Sequence, residues 1–403
     1  MADHADVQSH ASGATRDPKV RYRAPDETLA TVNPRVSISR RIGMSFLIFI
    51  LFFASAAASF SGAFAKWGFR DGLDYSIPNV SEGVAPRPFV YRRLLPDLAT
   101  ALDRQVPMKI REAYLAVEPK ASPAFTYGRA KDARQNGYQL RYMLIYYMSF
   151  SAMLVAIFAL SAALRWLGYS RVVTIMAPVA FALIYPYLMT GGFYFYDIPE
   201  LAFFAMAFYF AVSQRWLLLM AMAPVATLNK EAFLLYLLTL TPFALSSEKR
   251  VKAILSLCFA VSLAAIINAY TKYSYAKNPG GMVDYQLIRN LTDYFHSSTY
   301  LLYEYTYGIA SPKGMSFISI ACVIALVLVS APTTMPRVLR THACVALIIN
   351  IPLFLIFCGT GELRNLSMLF VLLTILIARA IESLARMDRG GLSGVSPAVK
   401  IQT

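Results

Sequence analysis

Apolar stretches of membrane-spanning length recur from residue 42 to residue 381, and they leave few folds open to the chain. The first, Ile42 to Ala65, is long enough to cross a hydrocarbon core of about 30 Å at 1.5 Å per residue. Others cover 142–164, 172–190, 198–213, 216–246, 251–270, 314–333, 342–358 and 366–381. Only 15% of the 403 residues are charged and 57% are hydrophobic, whereas a soluble domain is roughly a quarter charged. With a mean hydropathy of +0.49, the expected fold class is an all-α polytopic membrane protein, and a water-soluble fold could not bury that much apolar surface.

The net charge of +15 is distributed informatively. Basic residues cluster in short loops between apolar runs and form no continuous stripe, which argues against a nucleic-acid partner. Residues 1–41 read as a disordered cytoplasmic tail, being polar up to residue 35, and 386–403 as a second cytoplasmic tail. Ala63-Phe64-Ala65 mimics a signal-peptidase site, but the long polar leader and the later spans make the first run a signal anchor. Cys258, Cys322, Cys344 and Cys358 sit in apolar runs without CxxC spacing, and the histidines at 4, 10, 296 and 342 form no HExxH. No metal site and no cofactor is expected.

The stretch 216–246 decides the topology. As one helix it would be about 46 Å long, too much for one upright span. Asn229-Lys230-Glu231 interrupts it, and basic residues flank both ends: Arg215 before, then Lys249, Arg250 and Lys252 after. The positive-inside rule then places both ends in the cytoplasm and Lys230-Glu231 at a non-cytoplasmic apex, for about ten transmembrane helices with both termini inside. Arg165, Arg171, Arg337 and Arg340 join the cytoplasmic set, while the short outer loops hold only Lys230 and Arg364. The transmembrane domain is thus 42–385, with a large outer loop at 66–141, a second at 271–313, and a bacterial inner membrane as the expected setting. Segments Arg92–Arg104 and Lys109–Val117 of the first loop have the make-up of interfacial helices.

On this layout the outer face collects ionisable groups. The first loop carries Asp71, Asp74 and the run Tyr91-Arg92-Arg93; later turns carry Tyr194, Tyr196, Asp197 and Glu200, then Lys230 and Glu231, then Glu362, Arg364 and Asn365. Charges near membrane depth are costly unless paired or facing a water-filled cavity, so the set is a candidate site. Simpler roles compete: Asp197 as the cap of the helix opening Ile198-Pro199, Lys230-Glu231 and Glu362-Arg364 as self-neutralising pairs, and Phe193–Tyr196 as an interfacial aromatic belt.

Tyr196-Asp197-Ile198-Pro199-Glu200, the basic turn at Arg215, and Ala226-Thr227-Leu228-Asn229-Lys230-Glu231 together resemble a pattern in GT-C-fold glycosyltransferases of the protein O-mannosyltransferase and aminoarabinose-transferase type. The resemblance covers roughly 190–245, with an echo in Gly361-Glu362-Leu363-Arg364-Asn365; Asn229 stands where the pattern has Thr. It implies a polyprenyl-phosphate-linked sugar donor, a glycan or lipid acceptor, and inverting transfer at the non-cytoplasmic face. Asp71 or Asp74 would then be the general base, Arg92, Arg93, Lys230 and Arg364 would neutralise the departing lipid phosphate, and Tyr91, Asp197, Glu200, Glu231 and Glu362 would complete the substrate-binding set. Rival readings are a polysaccharide polymerase or ligase, a transporter, and a noncatalytic assembly subunit. One cavity joining Asp74, Arg92, Lys230 and Arg364 is the expected signature of the transferase.

Overall fold

The computed structural model describes residues 34–121, 128–135, 137–281, 285–330 and 332–392. Of the two expected tails, 1–33 and 393–403 lie outside the described residues. Helix α1 (Pro34–Trp67) contains the first expected span and runs on into a polar connection holding α2 (Ile77–Glu82), α3 (Leu94–Gln105) and α4 (Met108–Ala121). The last two cover the segments expected to be helical. Then come α5 (Gln139–Trp166) and α6 (Arg171–Leu188), the latter opened by Ser170, whose hydroxyl accepts a hydrogen bond from Val173 N–H.

Among the described residues, six helical segments are long and apolar enough to cross a membrane: Arg40–Trp67, α5, α6, α11 (Arg250–Ser274), α14 (Arg337–Phe357), and Leu363–Arg386, which joins a 3-10 turn to α15 (Phe370–Leu392). The protein is therefore an all-α polytopic membrane protein, but the expected count of about ten spans is corrected to six. The other apolar runs form α7 (Asp197–Val212, 16 residues), α8 (Trp216–Asn229, 14 residues), α9 (Ala232–Thr239) continued by α10 (Thr241–Ser246), and α13 (Phe317–Ser330, 14 residues). A 14-residue helix is about 21 Å long, short of a core of about 30 Å. Hydropathy measures how long a run stays apolar and is blind to where the helix within it stops.

The bundle is held by close approach of small residues, the usual means of helix association where lipid is as apolar as Leu. Helix α5 buries Ala156, Ala159 and Ala163, and α7, which packs along it, buries Ala202, Ala205 and Ala211. The expected break at Lys230-Glu231 is present: α8 stops at Asn229, Lys230 is extended, and α9 starts at Ala232. Helices α9 and α10 then lead away from Lys230, with the Thr239 carbonyl accepting from His342 Nδ1 near the start of α14. Helix α11 leads back, since Asn278 just beyond it donates to the carbonyls of Gly83 (2.7 Å) and Ala85 (2.9 Å) beside the first polar connection. The face carrying the described residues between 68 and 138 thus also gathers Lys230, the start of α7 and the turn after α14.

That face ends in a short helix, α12 (Leu287–Tyr294), and the one sheet among the described residues. In it β1 (Tyr303–Thr306) pairs antiparallel with β2 (Ile309–Pro312), Glu304 opposite Ser311 and Tyr305 opposite Ala310.

Candidate functional site

The site is built on the turn before α7. Phe193, Tyr194, Phe195 and Tyr196, expected as an interfacial belt, are buried instead, because this turn folds inward beneath the polar connection. Gly191 makes the fold possible: its φ is +73°, and a Cβ there would lie 2.6 Å from Cγ of Glu362. Tyr194 and Tyr196 stack with centroids 5.2 Å apart and planes 11° apart. Three cations lie over this pair: Arg364 at 4.6 Å from the Tyr194 ring, Arg92 at 5.2 Å and Lys230 at 5.5 Å from the Tyr196 ring. Each position suits attraction to the ring quadrupole.

The ion pairs differ from those expected. Lys230 and Glu231 do not neutralise each other. The extended backbone at Lys230 sends neighbouring side chains to opposite sides, so Lys230 Nζ donates to Glu200 Oε2 (2.7 Å) and lies 3.6 Å from Asp197 Oδ1. Glu231 Oε1 instead accepts from Arg92 Nη2 at 2.8 Å. Ser367 Oγ donates to the other Glu200 oxygen at 3.0 Å. Glu362 and Arg364 do pair, at 3.2 Å, with Asn365 Nδ2 donating to the same carboxylate oxygen at 2.9 Å. Asp197 opens α7 but does not cap it, for its Oδ2 accepts from Tyr194 N–H, before the helix. Its Oδ1 faces Lys230 and, at 4.0 Å, Arg364.

A cavity of about 570 Å³ opens over this cluster. Arg92, Lys230, Glu231, Glu362 and Arg364 form its polar side, and Leu235, Leu353, Phe354 and Phe357 an apolar wall. The acids divide by exposure: the Asp197 and Glu200 side chains are 2% exposed, those of Glu231 and Glu362 31% and 26%. Lys230 is therefore locked by buried carboxylates, whereas Arg92 and Arg364 are held by acids that face the open space. Burial opposes the charge on Arg92, yet the Glu231 carboxylate, helped by Tyr196, Glu200 and Asp197, outweighs it and pushes its pKa up. Burial pushes the Tyr194 phenol up to about 12 against the pull of Arg364. Because α8 is 14 residues long, Lys230 stands no more than about 21 Å from the opposite end of that helix.

The remaining expected residues lie elsewhere. Tyr91 is buried outside the cavity lining. Arg93 is turned away as well: it pairs with Asp97, donates to the carbonyls of Val80 and Ser81, and lies over Tyr275. Asp74 does not share the cavity with Arg92, Lys230 and Arg364; it is exposed in an adjoining cleft of about 500 Å³ with Arg87. Tyr75 and Phe89, stacked 4.2 Å apart, line both spaces and divide them.

Asp71 is engaged in a clasp. Its carboxylate accepts from Tyr142 Oη (3.0 Å) and Asp132 N–H (3.0 Å), while the Asp132 carboxylate accepts from Gly72 N–H (3.1 Å). Burial, then the charge of Asp132, pushes the Asp71 pKa up to about 7 from 3.8. With the folded value above the unfolded one, the native state keeps a proton that the unfolded chain has released, so stability falls as pH rises between these values. Thermal unfolding in detergent should show this decline from pH 4 to pH 7, and Asp71→Asn should flatten it; an unchanged slope would remove Asp71 as its source.

Several lining residues were not singled out from sequence. Arg70, with a left-handed φ of +62°, reaches Tyr75 Oη at 3.4 Å and borders the cavity. Ser367 is a single polar residue with no motif around it, and the stacking of Tyr75 on Phe89 joins two stretches that are separate in sequence. Gly191-Gly192 ahead of the aromatic run was the one available signal. Among the described residues no group of three His, Cys, Asp or Glu side chains could hold a metal ion. In comparisons with protein-family models, curated proteins and solved structures, none matches this chain.

Proposed function

We propose that the protein is a membrane glycosyltransferase that moves a sugar from a polyprenyl-phosphate donor to a hydroxyl acceptor in the cavity over Tyr194 and Tyr196. The observation that carries this reading is that one space is lined both by two arginines with partly exposed acid partners and by the apolar side chains of Leu235, Leu353, Phe354 and Phe357. A phosphate head would sit against Arg92 and Arg364, displacing Glu231 and Glu362, while the first isoprenes follow Leu235, Leu353 and Phe357. Transfer breaks the bond from the anomeric carbon to the phosphate oxygen and forms one to the acceptor oxygen, whose proton goes to a carboxylate. The phosphate leaves as an anion neutralised by the arginines.

Glu231 is the best-placed proton acceptor, because it lines the cavity with a side chain 31% exposed and is released when the phosphate takes its place on Arg92. Asp74, in the neighbouring cleft, is the alternative base. Glu231→Gln should lower transfer of labelled sugar from polyprenyl-phosphate donors by about 10²–10⁴-fold, the range of general-base removal. If Asp74→Asn fails and Glu231→Gln does not, the base is Asp74; full activity in both removes the carboxylate mechanism. A transporter is favoured by one observation, the interrupted helix at Lys230 beside buried carboxylates, which resembles the broken helices of ion-coupled carriers. Ion-dependent uptake into vesicles without transfer would decide for it.

A further inference from the structure

Residues 285–312, expected from sequence to be part of an aqueous outer loop, carry an exposed apolar surface at an unexpected depth. Helix α12 is pinned to the last turn of α14: Asn290 Nδ2 donates to the carbonyls of Leu355 (2.8 Å) and Cys358 (2.7 Å), and Gln286 N–H to that of Ile356 (2.7 Å). Its opposite face presents Ile288, Leu291 and Phe295 at helical spacing, with Phe295 89% exposed.

The hairpin sits deeper still. At its turn, Tyr307 Oη donates to the Leu183 carbonyl at 3.2 Å, and its ring lies where a Cβ on Gly62 would fall, 2.6 Å away. Gly62 and Leu183 each precede the end of their helix, Trp67 or Leu188, by five residues, which is about 7 Å along the axis. Lys66 secures the arrangement, pairing with Glu304 and donating to the Pro186 carbonyl. The hairpin therefore lies beside two membrane helices and not above them. Tyr303, Tyr305 and Ile309 stay exposed beside them.

We propose that residues 285–312 form a membrane-inserted element whose occupant is the lipid interface itself, with α12 as the lipid-side rim of the cavity. A depth of about 7 Å matches the 5–10 Å at which interfacial helices bury their apolar face. Tyrosine is the residue of that zone, with an apolar ring and a wet hydroxyl. The two-stranded hairpin sets the limit, for its outer backbone groups could not be left unpaired in the hydrocarbon centre. Gln286, just before α12, and Arg289 within it border the cavity, so its mouth lies at the level of lipid headgroups. This placement does not depend on the transfer reaction.

The test uses full-length protein with Cys258, Cys322, Cys344 and Cys358 changed to Ala, reconstituted into phosphatidylcholine–phosphatidylglycerol vesicles. Phe295→Cys and Tyr305→Cys are labelled separately with bimane, with Ile348→Cys on the exposed flank of α14 as the lipid reference and Lys131→Cys as the aqueous one. Nitroxide on the upper acyl chain should remove most of the emission at positions 295 and 305, as at 348, while iodide quenches them far less than at 131. Iodide quenching equal to that at 131 would overturn the proposal. Protection from both quenchers would also overturn it, because a second copy or another protein would then cover the surface.

Discussion

Replacing Lys230 with Met is expected to destabilise the protein by about 3–5 kcal/mol, the cost of removing one partner from a buried ion pair. Lys230 is the shared counter-ion of Glu200 and Asp197, whose side chains are 2% exposed and so have little water to solvate their charge. The loss should appear as a fall in the thermal unfolding midpoint of the detergent-solubilised protein. Adding Glu200→Gln should recover part of it, because a neutral amide still bonds Ser367 and no longer needs a cation. A single variant that unfolds with the wild type would show that the cluster carries no uncompensated charge.

Arg364→Gln is expected to behave in the opposite manner, with a modest effect on unfolding and a loss of about 10²–10³-fold in transfer, the scale of removing one preorganised donor from a developing anion. Glu362 keeps Asn365 when Arg364 is removed, and Asp197 keeps Lys230, so neither acid is stranded. Arg364→Lys should fall between the two, since it keeps the charge but loses the planar contact over Tyr194. Wild-type transfer by Arg364→Gln, measured at saturating donor, would exclude the guanidinium from holding the phosphate.

The sequence made the break at Lys230 legible because Asn229-Lys230-Glu231 is the only polar interruption in a run too long for one helix. Glu362 and Arg364 were legible as a pair for a similar reason, standing two residues apart in an otherwise apolar region. Partner choice was not legible where the partners come from distant helices. Arg92 meets Glu231, and Ser367 meets Glu200, only after the turn before α7 folds inward. The two aspartates after the first span illustrate the same limit: nothing local distinguishes Asp71, which is engaged by Tyr142 and Asp132, from Asp74, which is open to a cleft. Span number failed for a different reason, since α8 ends well before the apolar run around it does and α13 takes up only 14 residues of the run 314–333.

The brevity of α13 also bears on the bilayer. Its exposed side chains, among them Phe317, Val323, Ile324 and Leu328, face lipid along a helix about 21 Å long. Hydrophobic mismatch between so short a helix and a core of about 30 Å is relieved by a locally thinned membrane, by flanking side chains that reach the interface or by association with another helix, at a fraction of a kcal/mol per Å. An α13 that crossed the bilayer would draw the two leaflets toward each other beside it, and this flank follows directly on residues 285–312.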